Sequence, residues 1–357
     1  MTIGVIGAGI VGLSTALALL ERGVDVVVYE RGVPGNGQSG GESRIFRHSH
    51  DDRRLVAFAR EARAMWREWE VHFGEELLAR DGVVAIGPAV ERRLALLQED
   101  GGVRARELEP DEVAEWLPPM APPDAPAMVD EDGGVIRARA TIEALTQAVG
   151  DALVFDEVIS VRETPAGLVE VRAGGLTVEH ERVVLCAGRG TVALARGAGL
   201  PLPVRQAAHV RLTYRVRGEP APRLACLLDG SGEAYGDPLP GNDAYAVGLD
   251  ETPVHEDGSL AEPADLATMT ERTGDYVARA LPGLDPTPID VRHCWVTELP
   301  WSPDGVAVWE HGALLAVAGS NLFKHAPALG RALAVTALGG DLPPDLRPEA
   351  KLGAARP

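Results

Sequence analysis

The first thirty residues alternate between two hydrophobic patterns. Residues 3–6 form a short apolar run that stops at glycines, and residues 13–21 carry Ala and Leu at helical spacing. Residues 24–30 form a second run, rich in Val, that ends in an acid. A strand, a helix and a strand within about 30 residues are typical of a βαβ unit. The chain is therefore predicted to begin with parallel strands.

The remaining chain predicts elements of several kinds. Apolar runs are typical of buried parallel strands, and alternation of apolar and polar residues is typical of antiparallel sheets. A proline-rich stretch after residue 83 indicates an inserted region. We predict helices over 52–73, 140–149 and 328–338, buried strands over 182–188 and 313–317, a hairpin over 168–171 and 176–178, and an antiparallel sheet over 206–250.

Three glycines separate the first predicted strand from the first predicted helix. Gly7, Gly9 and Gly12 form G-x-G-x-x-G, which lets the backbone approach a pyrophosphate at a helix N-terminus. Glu30 ends the second strand, where a carboxylate accepts hydrogen bonds from ribose hydroxyls and disfavours the 2′-phosphate of NADP. The motif predicts a bound dinucleotide and by itself leaves FAD and NAD open.

The fold class predicted from these elements is α/β (α+β overall), with a Rossmann-type dinucleotide domain and a second, mostly antiparallel β domain for the substrate. Because the buried parallel strands are separated in sequence by the antiparallel segments, the dinucleotide domain is predicted to be discontinuous. It is expected over 1–82, 140–205 and 286–357, and the substrate domain over 83–139 and 206–285.

Composition narrows the classes of partner. The 357 residues include 53 acidic and 34 basic ones, and the formal charge of −19 argues against nucleic acid and anionic membranes. The chain begins with a predicted strand rather than a signal segment, and no apolar run reaches about 18 residues. We expect a cytoplasmic monomer that acts on a small molecule. Three scattered cysteines predict neither a disulfide framework nor a metal site.

Residues 39–48 read Ser-Gly-Gly-Glu-Ser-Arg-Ile-Phe-Arg-His. They resemble the Ser-His-Gly-(Asp/Glu)-(Thr/Ser)-Arg-x-x-Arg segment of monomeric sarcosine oxidase and N-methyltryptophan oxidase, which are D-amino-acid-oxidase-like FAD-dependent oxidoreductases. The resemblance implies that Arg44 lies against the flavin ring and that Arg47 binds the substrate carboxylate. A guanidinium suits both tasks, since it is a fixed cation and matches a carboxylate bidentately. Taken alone, the segment also fits two arginines exposed to solvent. Because it follows the dinucleotide motif, the interpretation as a flavin and substrate site is favoured.

Residues 319–330 read Gly-Ser-Asn-Leu-Phe-Lys-His-Ala-Pro-Ala-Leu-Gly. They are similar to the Gly-His-Gly-Phe-Lys-Phe-x-Pro-x-x-Gly segment of the same enzymes, in which the lysine is the second carboxylate ligand. The resemblance implies this role for Lys324. Lys324 and Lys351 are the only lysines in the sequence. Because the chain otherwise uses arginine, the compact ammonium of Lys324 indicates a specific role for this residue. A surface lysine before a capped helix is the alternative.

Residues 292–297 read Arg-His-Cys-Trp-Val-Thr and precede Pro303 and Asp304. They are similar to the Cys-x-Tyr-Thr segment ahead of Pro-Asp in these enzymes, whose cysteine sulfur is bonded to the flavin 8α carbon. The resemblance implies covalent FAD at Cys294, and we expect Arg292 and His293 to favour its thiolate. A cysteine packed as a small apolar residue is the alternative.

The resemblance assigns two sets of site residues. The catalytic set comprises Arg44, Arg47 and Lys324. The cofactor-binding set comprises Gly7, Gly9, Gly12, Glu30, Arg31, Ser43, Arg44, Cys294, Gly319, Asn321, Phe323 and Lys324.

Three positions depart from the family pattern. Gly40 replaces a histidine and Val296 replaces a tyrosine, which argues against sarcosine itself as substrate. Ala246 occupies the place of the family's oxygen-activating lysine. If oxygen is the acceptor, another cation such as Arg44 is expected to activate it. Trp301 is a candidate pocket aromatic, with core packing as the alternative.

The resemblance implies FAD-dependent oxidation of a C–N bond to an imine, with hydride transfer to flavin and reoxidation by O₂ to give H₂O₂. The expected substrate is a secondary, N-methyl or cyclic amino acid or a related amine carboxylate. Ala246 supports an alternative, a biosynthetic dehydrogenase or desaturase that acts on a free or carrier-bound modified amino acid and uses another acceptor. A non-catalytic flavin-binding redox sensor is a third hypothesis. It does not explain why Arg47 and Lys324 match the two cations that bind a substrate carboxylate in the family.

Overall fold

The computed structural model describes residues 2–249, 252–254 and 266–354. In that part of the chain the strands are β1 Thr2–Ile6, β2 Asp25–Glu30, β3 Ser43–Phe46, β4 Leu78–Ala79, β5 Val83–Ile86, β6 Ala105–Leu108, β7 Ala127–Asp130, β8 Gly134–Arg137, β9 Leu153–Phe155, β10 Val158–Glu163, β11 Val169–Ala173, β12 Leu176–His180, β13 Arg182–Leu185, β14 Arg205–Val216, β15 Cys226–Asp229, β16 Ala234–Pro238, β17 Ala244–Leu249, β18 Thr252–Pro253, β19 Leu284–Glu298, β20 Val306–His311 and β21 Leu314–Gly319. The helices are α1 Ile10–Leu20, α2 Arg53–Phe73, α3 Val90–Asp100, α4 Pro110–Trp116, α5 Ala138–Val149, α6 Gly190–Gly197, α7 Leu266–Ala280 and α8 Ala326–Ala337.

A six-stranded sheet contains the predicted βαβ unit. Its order is β20-β21-β13-β1-β2-β9, and all neighbours are parallel except β20 and β21. Val5 of β1 lies between Val28 of β2 and Val184 of β13, and all three are fully buried. Burial on both faces explains their continuous apolar runs. The α/β class and the parallel strands near residues 182 and 314 are confirmed.

Helices cover this sheet, and α1 packs closely against α8. A Cβ on Gly330 of α8 would lie 2.5 Å from Ser14 Oγ of α1, so these helices approach as closely as glycine permits. The predicted helix over 52–73 is α2, which Asp52 caps by accepting from Arg54 N at 2.9 Å. Gly74 ends it in the left-handed conformation, with φ of 68°.

A nine-stranded, mostly antiparallel sheet forms the second layer. Its order is β18-β14-β17-β16-β15-β5-β7-β6, and β19 also pairs with β14. The antiparallel sheet predicted over 206–250 is confirmed for the described residues, and Asp250 lies outside them. β15 and β5 are the parallel exception. Buried aromatic residues such as Tyr214 and Tyr245 fill one core of this layer.

The predicted hairpin and one predicted domain boundary have different outcomes. β11 and β12 pair antiparallel as the hairpin near residues 168–178. The boundary at residue 286 falls inside β19, which pairs with β14 along its length, from Leu284 to Glu298. Residues 286–298 therefore extend the antiparallel sheet, and the division into two domains stays a prediction. No helix in the described residues is long and apolar enough to cross a membrane.

Candidate active site

One cavity of about 2120 Å³ runs from the end of β1 to β19 and the segment before α8. This volume is well above the ~300–1,000 Å³ that drug-sized ligands require. All of the sequence-predicted site residues line it except Gly12 and Ser43. Two segments more than 250 residues apart in sequence, around Arg47 and Lys324, thus contribute to one site.

The glycine loop is built for a close backbone approach. Gly7 has φ of +99°, and a Cβ there would lie 2.6 Å from the carbonyl oxygen of Cys186. A Cβ on Gly12 would lie 1.9 Å from Gly7 O, so Gly12 serves the tight turn rather than the cavity surface. Gly9 is the N-cap of α1 and adds no side-chain cap. The N-terminal end of α1 therefore faces the cavity, and the first turn of this helix contains no acidic residue.

Glu30 closes the loop from the end of β2. Its carboxylate accepts from Ala8 N at 2.9 Å and from Gly32 N at 3.0 Å. These two bonds hold the side chain at the cavity edge, and each carboxylate oxygen retains further acceptor capacity. Arg31 beside it extends outward, with 69% of its side chain exposed and Nη1 3.5 Å from Glu157.

Arg44, on β3, holds the glycine-rich segment that precedes it. Its guanidinium donates to the carbonyl oxygens of Ser43 at 2.7 Å, of Gln38 at 3.1 Å and of Gly40. The same guanidinium lies 5.9 Å from the ring centroid of Phe323. Burial, and then the nearby Arg211, lower the pKa of Arg44. Ser43 contributes its carbonyl, since its side chain is buried away from the cavity.

Arg47 and Lys324 meet at an internal carboxylate. Arg47 Nη2 donates to Asp304 Oδ2 in a short hydrogen bond, and Lys324 Nζ lies 4.0 Å from Asp304 Oδ1. Both cations are buried, with 9% and 3% of the residue exposed. The sequence predicted roles for Arg47 and Lys324. It gave Asp304 no role, because this residue appeared only in the Pro-Asp pair of the family pattern. The acid is the group that the sequence interpretation missed here.

The same cluster contains buried histidines. His50 Nδ1 lies 3.2 Å from both Arg47 Nη1 and Asp304 Oδ2, and its ring centroid lies 5.7 Å from that of His325. Burial, with added repulsion from Arg47 and Lys324, lowers the pKa of His50 to about 3. Burial and Arg47 also lower the pKa of Lys324 to about 7, against the opposing attraction of Asp304. Burial, with added repulsion from Lys324, also lowers the pKa of His325 well below its ordinary value, so both histidines are neutral near pH 7.

Asp304 remains ionised in this setting. Burial alone would raise its pKa, but Arg47, Lys324 and His50 together hold it well below its ordinary value. Asn321, in a left-handed conformation with φ of 55°, also donates to Asp304 Oδ1 at 2.7 Å. This carboxylate thus organises the segment that carries Lys324.

Cys294 lies on β19 opposite His209 of β14 and lines the cavity. His293 and Cys294 are neighbours in the strand and lie on opposite faces of it, so the predicted effect of His293 on Cys294 stays a prediction. Successive side chains of a strand point to opposite faces, and the His293 ring packs beside Trp295, with centroids 5.1 Å apart. Arg292 shares the face of Cys294.

Three cavity residues were not identified from the sequence. Arg211 Nη2 donates to Asp237 Oδ1 at 2.6 Å, and Tyr235 lies beside them. Trp301, by contrast, was a candidate pocket aromatic in the sequence, and it lines the cavity with its indole N–H donating to Leu352 O at 3.0 Å. Alternating polar residues in β14 and β16 were the available signal, but they also fit a solvent-facing sheet.

This structure fits FAD. The glycine loop leaves no room for side chains at the N-terminal end of α1, Glu30 lies at the cavity edge beside the loop, and the cavity continues to a cationic pocket. These features define a dinucleotide-binding protein with a cationic pocket beside the dinucleotide site. A family model described as "DAO: FAD dependent oxidoreductase" matches residues 2–335, and the chain belongs to this family. The protein is an FAD-dependent oxidoreductase.

Curated relatives and solved structures agree with this family. The chain is 24% identical over 362 residues to N-methyl-L-tryptophan oxidase of Salmonella arizonae, with 94% of each chain covered. It is similar to NikD, an unusual amino acid oxidase essential for nikkomycin biosynthesis, with TM-score 0.84, 23% identity, and 98% and 96% of the two chains covered. It is also similar to L-proline dehydrogenase from P. horikoshii, with TM-score 0.82, 18% identity and 99% of each chain covered. These structures share its fold.

Proposed function

We propose that the protein oxidises the C–N bond of a secondary, N-methyl or cyclic amino acid to an imine. The observation that carries this proposal is the pair of buried cations, Arg47 and Lys324, at one end of the cavity. With Lys324 protonated, their two positive charges and the negative charge of Asp304 leave one net positive charge. That charge matches a single carboxylate. Relatives named for N-methyl-L-tryptophan and L-proline support a secondary amine as substrate.

The proposed site residues divide between the cofactor and the substrate. The glycine loop and Glu30 hold the adenosine diphosphate part of FAD, and Cys294 holds the flavin covalently at the far end. When bound, FAD supplies the acceptor for a hydride from the substrate C–H bond. Arg47 and Lys324 orient the substrate through its carboxylate, which fixes the C–H bond relative to the cofactor. An amine that binds neutral needs no side-chain base, because its nitrogen lone pair forms the imine.

We propose O₂ as the electron acceptor, with H₂O₂ as the product. The second candidate function, a dehydrogenase or desaturase with another acceptor, is supported by Ala246, which is buried in β17 and pairs with Thr213 and Asp237. Because Lys324 and Lys351 are the only lysines in the sequence, no lysine in β14, β16 or β17 replaces the missing one.

Covalent attachment is tested by acid precipitation of the purified yellow protein. We expect flavin absorbance to stay in the pellet for the natural protein and to move to the supernatant for Cys294→Ala. Cys226→Ala is the matched control, because Cys226 is fully buried in β15 and does not line the cavity. Free FAD from the natural protein would disprove the link at Cys294.

The substrate class is tested by anaerobic mixing with a panel of amines. Loss of flavin absorbance is expected with proline-like and N-methyl amino acids, and not with the same amines lacking the carboxylate. Arg47→Met and Lys324→Met should each raise KM by about tenfold or more, since each removes a charge-assisted contact. Equal reduction by carboxylate-free amines would contradict the proposal. Reoxidation in air-saturated buffer then decides between O₂ and another acceptor.

A further inference from the structure

An ion pair crosses the strand that carries Ala246. Arg211 lies on β14 and Asp237 on β16, and β17 runs between these two strands. Arg211 nevertheless donates to Asp237 Oδ1 at 2.6 Å. The side chains of both residues are buried, with 11% and 1% exposed, and both residues line the cavity. The pair therefore spans β17 on the face that the cavity meets.

Small residues in β17 make this crossing feasible. Arg211 is paired with Gly248, and Asp237 is paired with Ala246, so all four positions share one face of the sheet. Gly248 has no side chain, and a Cβ there would lie 2.4 Å from the Oη atom of Tyr235. The space above Ala246 and Gly248 is consequently taken by the guanidinium of Arg211 and the ring of Tyr235.

The pair is joined to Arg44 through one carbonyl group. Ser43 O accepts from Arg44 Nη1 at 2.7 Å and from Arg211 Nη1 at 3.4 Å. Two guanidinium groups thus converge on a single oxygen, where they repel each other. Burial by itself would lower the pKa of Arg211, but Asp237, with Tyr235 and Cys294, raises it above its ordinary value. Asp237 therefore offsets the burial of the second cation beside the first.

We propose that Arg211 and Asp237 are a positioning pair that sets the charge of the cavity wall beside the flavin ring. Arg211 holds Ser43 O, which is also an acceptor of Arg44, and Asp237 offsets the charge of Arg211 that would otherwise repel Arg44. Arg44, which donates to carbonyl oxygens rather than to a carboxylate, then supplies net positive charge to this wall. The inference rests on the proposed function only for the place of the ring, next to Arg44 and Cys294.

Sulfite is a suitable probe, because this anion binds oxidised flavins reversibly, bleaches them, and binds more tightly when positive charge lies nearby. Asp237→Asn exposes the charge of Arg211 and should lower the sulfite dissociation constant of the holoenzyme by about tenfold. Arg211→Met leaves the charge of Asp237 and should raise the dissociation constant by about tenfold. The double variant removes both charges and should return to within about threefold of the natural protein.

The two single variants should change the sulfite dissociation constant in opposite directions, and the double variant should restore it. Structural damage would instead weaken sulfite binding in all three variants. The midpoint potential of the flavin should follow the same order, most positive in Asp237→Asn. If a single variant fails to fold, Arg211→Lys and Asp237→Glu keep the charges and should stay within about threefold of the natural protein. Shifts in one direction only, or a larger shift in these conservative variants, would overturn the inference.

The sulfite titration needs no amine substrate. Amine-dependent bleaching with unchanged sulfite affinity in the variants would leave the proposed function standing and reject the positioning pair. The expected sulfite pattern without bleaching by any amine would support the pair and reject the proposed substrate class.

Discussion

The ammonium of Lys324 lies 4.0 Å from a carboxylate oxygen of Asp304, whose other oxygen accepts from Arg47. The carboxylate-binding end of the cavity therefore contains an anion of its own. This arrangement explains how two buried cations coexist: each lies close to the same negative charge, and burying either one unpaired would be strongly unfavourable. A substrate carboxylate would join the three groups as a second anion.

The affinity for a simple carboxylate is expected to depend on pH through Lys324. Its pKa is lowered to about 7, mainly by burial. Since only the ammonium attracts an anion, the dissociation constant of acetate, followed by the flavin spectrum of the holoenzyme, should rise as pH increases above about 7. Lys324→Met should bind acetate more weakly at pH 6 and show little change across the same range. A pH-independent constant in the natural protein would contradict this assignment.

Asp304→Asn should move that pH midpoint downward. Asp304 opposes the loss of the lysine proton, so removing its charge lowers the pKa of Lys324 further, by about one unit or more. The acetate titration measures the shift. An upward shift would show that Asp304 does not act on Lys324 through its charge.

Glycine-to-alanine substitutions in the first loop should differ in severity. Gly12→Ala places a Cβ 1.9 Å from Gly7 O and should lower the free energy of unfolding by about 3 kcal/mol or more. Gly9→Ala meets only Ser39 Oγ at 3.2 Å and should lower it by about 1 kcal/mol. Gly197→Ala, with open space around its Cβ, is the control. Urea unfolding measures all three, and equal effects would argue against the loop geometry.

His50 should contribute to acid sensitivity. Its pKa is about 3 in the folded protein and returns to about 6.5 on unfolding. The unfolded state therefore binds more protons between these values, and stability is lost as pH falls from 6.5 toward 3. His50→Gln should reduce the slope of unfolding free energy against pH in this window by up to about 1.4 kcal/mol per unit. His72→Gln, on the exposed face of α2, is the control, and an unchanged slope in His50→Gln would be the contrary result.

Trp66 should position Lys324 through its backbone. The indole N–H of Trp66 donates to Lys324 O at 2.9 Å, and the Trp66 ring is fully buried. Trp66→Phe leaves that carbonyl unsatisfied and should lower the free energy of unfolding by about 2 kcal/mol, with weaker acetate binding. Trp69→Phe in the same helix tests the loss of ring size alone. If both variants weaken acetate binding equally, the hydrogen bond has no specific role.

The local pattern of apolar residues and glycines in the sequence was sufficient to predict the first strand, helix and strand. β1, α1 and β2 follow from apolar periodicity, and the conformation of Gly7 follows from the turn that joins them. The cysteine and the cations of the three family-like segments also line the cavity as expected, with Arg44, Arg47, Cys294 and Lys324 in one site. Short-range spacing suffices for such features, because each is encoded within about a dozen residues.

Only the tertiary structure decided which charges meet. Asp304 reaches Arg47 across 257 residues, and Arg211 reaches Asp237 by crossing a strand that lies between theirs. Such contacts depend on strand order and register, since a shift of one residue turns every side chain to the other face. The same dependence placed His293 away from Cys294. The sequence determined the candidate groups, and long-range pairing determined the charge balance of the site.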